Sequence, residues 1–266
     1  MNKFLVGLVK IAKVFCKPFL PVKVFGPRDM KNKKCLVVGN HLSAPDPIIY
    51  TLWTKNVMSF VYKAELRKSA FLRWVFDGLE CVPVRRGEVD INASKCVLRL
   101  LNSDKSICLF PEGTRNPNVD CLQEFHTGAA LFALKTKSPI RPFYLWDKVR
   151  FCKKNYMIIG EEFTLDEFYD RPLDRKTLLE ATAVIKQKVD DLRMQLNGIL
   201  DARGVKRRPR TKKEMEKIIA YNDRQRTLAK QLAAKHQAAT LATAEEPAQT
   251  EATVVETKDS NAEEVK

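Results

Sequence analysis

Between residues 35 and 160, short apolar runs alternate with longer segments whose apolar positions recur every three or four residues. Runs of about five apolar residues bounded by turn formers suit a buried strand and are too short for a helix. The pattern predicts strands at 35–39, 58–62, 81–84, 106–110, 140–145 and 156–160. Between them it predicts helices at 47–54, 71–79, 91–101 and 127–135. A long helix follows at 176–200, where Leu178, Ile185, Val189, Leu192 and Leu196 keep the helical period. Alternation of this kind implies α/β architecture: one domain with a largely parallel central sheet flanked by helices.

The two ends of the chain break that rhythm. At about 100° per residue, residues 3–17 form a helix on which Lys3, Lys10, Lys13 and Lys17 share one stripe. Phe4, Leu5, Leu8, Val9, Ile11, Ala12, Phe15 and Cys16 fill most of the remaining circumference, and Pro18 and Pro21 stop the helix. Two readings stand: a helix lying in the headgroup layer of an anionic leaflet, or a helix docked on the protein's own core. After residue 200 comes a basic run at 203–213, then an alanine-rich stretch at 212–239 that reads as a polar helix. Residues 240–266, rich in Ala, Thr and Glu, have the composition of a disordered segment. The expected organisation is an amphipathic N-terminal helix at 1–25, the α/β domain at 26–200, a basic helical extension at 201–239 and an acidic tail at 240–266.

Charge narrows the partners. Lys+Arg 47 against Asp+Glu 32 gives +15 in 266 residues, which favours an anionic membrane surface, a polyanion or an anionic substrate. The first 34 residues carry a net +8 and the last 36 a net −4. No run reaches the roughly 20 apolar residues of a membrane-spanning helix. Lys10, Lys13 and Lys17 also interrupt any signal-peptide core. The expectation is a peripheral protein on the cytoplasmic face of a membrane, with no cleaved signal peptide. Seven scattered cysteines without a C-x-x-C pair read as free thiols in a reducing compartment. His41, His126 and His236 lie near no cysteine pair, so no metal site is expected.

Candidate chemistry sits just after the strands. Gly-Asn-His-Leu-Ser-Ala-Pro-Asp at 39–46 puts His41 and Asp46 at the carboxyl end of the first core strand, where α/β sheets hold ligands. Histidine is the side chain suited to take a hydroxyl proton near neutral pH, and a carboxylate can orient it. On a regular helix, residues five apart cannot meet. Pro45 and Pro47 argue instead for a bent turn that returns Asp46 to His41. Phe-Pro-Glu-Gly-Thr-Arg at 110–115 follows another buried strand. There Gly113 permits close backbone approach, Thr114 offers a hydroxyl, and Arg115 can grip a phosphate through two hydrogen bonds. Glu112 is a candidate partner for a basic group or a substrate hydroxyl. Val-Pro-Val-Arg-Arg-Gly at 82–87 adds Arg85 and Arg86. His126 reads as a surface or helix-entry residue.

Taken in order, these segments resemble the glycerophospholipid acyltransferase family, which includes bacterial 1-acylglycerol-3-phosphate acyltransferases. Residues 40–46 look like its N-H-x-S-x-x-D motif, with Asn40 and Ser43 in supporting places and the His-x4-Asp spacing intact. Residues 82–87 are similar to the second motif, whose arginine falls on Arg86, with Arg85 as the other candidate. Residues 110–115 match the third motif. Residues 138–143 resemble the fourth, with Pro142 as its proline and with Arg141 and Phe143 where aliphatic residues are more usual.

The resemblance implies acyl transfer without metal or prosthetic group, with acyl-CoA or acyl carrier protein as co-substrate. His41, oriented by Asp46, would deprotonate the free hydroxyl of lysophosphatidic acid, giving phosphatidic acid. Arg86, Glu112, Gly113, Thr114 and Arg115 would hold the glycerol phosphate. Glycerol-3-phosphate or another lysophospholipid is the alternative acceptor. From a different class, a non-catalytic basic protein binding membrane or nucleic acid would use the +15 alone. No nucleic acid is expected, because aromatic and basic residues do not interleave as an RNA surface requires.

Overall fold

The computed structural model describes residues 1–85 and 90–245, and the chain divides into two compact units, Met1–Pro209 and Arg210–Lys266. In the second unit the described part is one helix, α7 (Lys212–Glu245), which runs past residue 239 into the segment expected to be disordered. The rest of that segment, 246–266, lies outside the described residues.

The first unit opens with α1 (Lys3–Cys16) and continues through β1 (Val22–Phe25), β2 (Leu36–Gly39), α2 (Asp46–Trp53), β3 (Ser59–Lys63) and α3 (Ala70–Gly78). It goes on through β4 (Val82–Val84), α4 (Ile91–Asn102), β5 (Ile107–Leu109), α5 (Gly128–Thr136), β6 (Ile140–Leu145), β7 (Asn155–Ile159) and α6 (Arg175–Asp201). The helix starts are written locally. Ser69, Asp90 and Asp174 each accept the backbone N–H three residues on, at Leu72, Ala93 and Thr177, as N-caps do.

The strands form one seven-stranded sheet in the order β1-β7-β6-β2-β5-β3-β4. Strands β6, β2, β5, β3 and β4 are mutually parallel; β7 runs antiparallel to β6 and parallel to β1. Every residue of β2, β5 and β6 is buried, as expected for parallel strands covered on both faces. Leu36, Val38, Ile107 and Leu109 pack with α4, α5 and α6 on one face. Val37 and Cys108, on the alternate positions, pack with α2 and Phe143 on the other.

The structure departs from the sequence expectation in three places. The segment 1–25, expected as the amphipathic N-terminal helix, also contains strand β1, whose four residues between Pro21 and Gly26 are too few to show a period. Cys121 and Cys152 are exposed rather than packed in the core, although all seven cysteines are free thiols. Most telling is α1, which docks on the protein's own core along one side and leaves apolar side chains exposed on the other. Leu5 is buried beside Tyr62, Leu79 and Cys81, while Phe4 and Phe15 are 69% and 70% exposed. Lys13 leaves the solvent stripe altogether. It is buried, and its Nζ donates to the carbonyl oxygens of Thr54 at 2.9 Å and Lys55 at 3.3 Å. Burial, with Lys17 and Lys10 nearby, pulls its pKa down to about 8. Among the described residues no helix is long and apolar enough to cross a membrane.

Candidate active site

Because β2 to β6 run parallel, their carboxyl ends reach one edge of the sheet. Strand β2 stops at Gly39, where a Cβ would lie 2.4 Å from the Phe143 ring, so only glycine allows this approach. Asn40 then ties β2 to β6: its Nδ2 donates to the Leu145 carbonyl at 3.0 Å, and its Oδ1 accepts the Leu145 N–H at 2.8 Å. The chain bends at once. Pro45 precedes α2 as its N-cap, and Asp46 is the first helical residue.

That bend brings Asp46 back onto His41. The fully buried carboxylate accepts His41 Nδ1 at 2.9 Å, the Leu42 N–H at 2.6 Å and the Ser43 N–H at 2.7 Å, all on Oδ2. Its Oδ1 accepts the Ser43 hydroxyl. Every contact is a donor, so the carboxylate is fixed from several sides and in turn fixes the imidazole. Phe110 stacks on the other side of that ring, with centroids 4.4 Å apart.

Glu112 has a different place from the one expected. Rather than facing a substrate, it is 2% exposed and spans the backbone. Its Oε1 accepts the His41 N–H at 3.0 Å and its Oε2 the Gln123 N–H at 3.3 Å. The His41 carbonyl accepts the Asn116 N–H at 2.6 Å. Both backbone polar groups of His41 are therefore held by the segment after β5. Burial pushes the Glu112 carboxyl up to about 7, against the pull of its hydrogen bonds from His41, Gln123 and Asn116.

A cavity of about 670 Å³ opens beside His41. Gly113, His126 and Arg85 line it together with apolar side chains such as Val61, Val97, Leu109 and Phe132. Thr127, Gly128 and Ala129, at the start of α5, also line it. Gly113 sits at φ +65° under His126, whose Cδ2 and Nε2 would be 2.7 Å from a Cβ there. The Gly113 N–H is already engaged with the Phe110 carbonyl at 3.0 Å.

Thr114 and Arg115 are exposed and do not line the cavity. The Arg85 N–H is held by Asp90 at 3.1 Å. Arg86 lies outside the described residues. Pro142 is buried within β6 opposite Val38, away from the cavity, and its carbonyl accepts the Gly160 N–H at 2.9 Å. His126, read from sequence as a surface or helix-entry residue, is exposed just before α5, and it also lines the cavity, a place the sequence did not indicate. It comes 85 positions after His41, and nothing in its neighbours marks the approach to Gly113.

Residues 21–146 match the family model for acyltransferases. Over this region the chain is similar to the glycerophospholipid acyltransferases. A 1-acyl-sn-glycerol-3-phosphate acyltransferase of Borreliella burgdorferi is 30% identical over 127 residues, 47% of this chain and 50% of that protein. A probable 1-acyl-sn-glycerol-3-phosphate acyltransferase of Mycoplasma pneumoniae is 29% identical over 128 residues, 46% of this chain and 47% of that protein. The chain thus spans about half the length of the curated relatives it matches. Among solved structures, a 1-acyl-sn-glycerophosphate acyltransferase from Thermotoga maritima superposes with a TM-score of 0.53 at 25% identity. That match covers 71% of this chain and 78% of that one. The fold is therefore shared over a longer stretch than residues 21–146 alone.

Proposed function

We propose that this glycerophospholipid acyltransferase-family chain moves a fatty acyl group from a thioester to the free hydroxyl of lysophosphatidic acid, forming phosphatidic acid. The observation that carries the reading is the 2.9 Å contact between His41 Nδ1 and Asp46 at the wall of the cavity. With Nδ1 donating to Asp46, Nε2 is the ring nitrogen left to accept a proton. The acceptor hydroxyl gives that proton to Nε2 as its oxygen bonds to the thioester carbonyl carbon. The tetrahedral intermediate then collapses, the C–S bond breaks, and the thiolate leaves and takes the proton from the imidazolium. The Gly113 N–H is already used, so the first-turn N–H groups of α5, which lack partners within their own helix, are the better donors to the oxyanion. The reaction needs no metal or prosthetic group; acyl-CoA or acyl carrier protein supplies the thioester.

The acceptor phosphate is assigned to Arg85 and Gly113, which line the cavity, with the exposed Thr114 and Arg115 following Gly113 in the chain. Glu112 serves as the group that seats His41. Association with an anionic membrane on its cytoplasmic face is supported by α1, whose exposed Phe4, Leu8, Ile11, Val14 and Phe15 form an apolar strip beside Lys3, Lys10 and Lys17.

The test is thiol release from an acyl thioester in the presence of lysophosphatidic acid. Wild-type protein should release thiol only with acceptor present, and His41→Ala should lower the rate by about 10³-fold. Equal activity in the two proteins would overturn the mechanism. On vesicles of anionic phospholipid, Phe15→Glu should weaken sedimentation of the protein without lowering its melting temperature, because the side chain is exposed. Unchanged sedimentation would remove α1 from the membrane contact.

A further inference from the structure

The basic run at 203–213 has no part in the chemistry above, yet its first half is bound into the body of the first unit. Arg207 lies over the Trp146 ring, 5.0 Å from its centroid, and its side chain is 17% exposed. Its Nη2 donates to Asn197 Oδ1 at 3.2 Å, an oxygen that also accepts Trp146 Nε1 at 2.9 Å. Its Nη1 pairs with the Asp120 carboxylate.

Asp120 belongs to the loop that holds His41. Asn116 at one end donates its N–H to the His41 carbonyl at 2.6 Å. Gln123 at the other end donates to Glu112, which accepts the His41 N–H. Inside the loop the bonds are local. Asn116 Nδ2 donates to the Cys121 carbonyl at 2.7 Å, and Asn116 Oδ1 accepts the Asn118 N–H at 2.9 Å. Asn118 Oδ1 accepts the Asp120 N–H at 3.0 Å. Such side-chain-to-backbone turns set the shape of a loop and leave its position to external anchors. Its external anchors include the following. The Tyr144 hydroxyl donates to the Val119 carbonyl at 2.8 Å, Arg193 donates to the Asp120 carbonyl at 3.1 Å, and Arg207 takes the Asp120 side chain.

We propose that Arg207 is a positioning residue for the His41 site: it pins Asp120, and the pinned 116–123 loop sets the His41 backbone through Asn116 and Glu112. The inference rests on the reading of His41 as the base. Arginine suits this place because one planar guanidinium stacks on Trp146 while its N–H groups reach both Asn197 and Asp120. A lysine offers a single point charge and no stacking plane. The Asp120 end is 59% exposed, so added salt should weaken the tether.

Amide hydrogen exchange and steady-state kinetics on wild type, Arg207→Ala and Arg203→Ala decide the matter. Arg203 comes from the same basic run but lies over Phe25, 5.2 Å from the ring centroid, and serves as the control. Arg207→Ala should speed exchange at 41–43 and 116–123 while leaving β2, β5 and β6 protected. Its kcat should fall by about 10-fold, below the roughly 100-fold that a 1 Å misplacement can cost, with both KM values nearly unchanged. Arg207→Lys should recover only part of that loss. Asp120→Asn combined with Arg207→Ala should be no slower than Arg207→Ala alone. Arg203→Ala should match wild type in both measurements. Unchanged exchange at 116–123 in Arg207→Ala, or a uniform rise across the sheet, would overturn the proposal. Absence of acyl transfer in the wild type would instead sink the functional reading, and the exchange pattern alone would then decide positioning.

Discussion

Two motif loops leave the same edge of the sheet and are built in opposite ways. At 40–46 every polar group that matters is engaged: Asn40 with β6, and Asp46 with His41, Leu42 and Ser43. At 113–115 the chain turns through a positive φ and leaves Thr114 and Arg115 in solvent. A group that must aim a proton acceptor needs fixed geometry, because its value depends on fractions of an ångström. A group that must capture a phosphate from solution needs reach and an unused charge. Two loops that each follow a buried strand thus differ: one is held by its own hydrogen bonds and the other is open to solvent. What separates them is where their donors find partners.

The contrast can be broken most severely at Asp46. Asp46→Asn presents an amide N–H₂ to backbone donors and turns the imidazole, so thiol release should fall by about 10³-fold or more. Because the site is buried, the same change should cost about 2 kcal/mol of stability, read from the denaturant midpoint. A folded, active Asp46→Asn protein would show that the 40–46 loop is not the rigid half of the pair.

Next comes Arg115. Since its side chain is exposed, Arg115→Ala should leave the melting temperature and kcat near wild type and raise the acceptor KM by about 10-fold. A fall in kcat with no change in KM would place Arg115 with the rigid loop instead.

The smallest effect is at Glu112, which links the two. Its pKa is raised to about 7 from a carboxylate's usual 4.5, so the folded state holds a proton that the unfolded state has lost. The stability it contributes is full below the unfolded value and declines as pH rises toward about 7. Glu112→Gln should flatten that decline, as measured by denaturant midpoints between about pH 5 and about pH 8. An unchanged slope would mean that Glu112 titrates normally and is not buried as described.

Much of this arrangement was legible from the chain. The runs that became β2, β5 and β6 fall within a residue or two of their observed limits, because strands buried on both faces leave few polar interruptions, Arg141 in β6 being one. Pro45 and Pro47 announced the bend that returns Asp46 to His41. Other features were hidden for identifiable reasons. Lys13 shares its helical stripe with Lys3, Lys10 and Lys17, and only the carbonyl groups of Thr54 and Lys55, some 40 positions later, single it out. Glu112 sits in a motif that reads as ligand-binding, whereas its two oxygens are spent on backbone N–H groups that no local pattern reveals. Arg207 looked like one more charge in a solvated run until Trp146 and Asp120 gave it a seat.

The pairing of β1 with β7 sets an order of events during synthesis. Val22 lies beside Asn155, about 130 residues later, and among the described strands β1 is at the edge of the sheet. At about 5–20 residues per second, a ribosome takes roughly 7 to 26 s to deliver that partner. Throughout that interval α1 and β1 are already outside the exit tunnel, with the helix's apolar strip complete and the strand unpaired. Of the seven described strands, β1 must wait for β7, the last of them in sequence, before it has a neighbour.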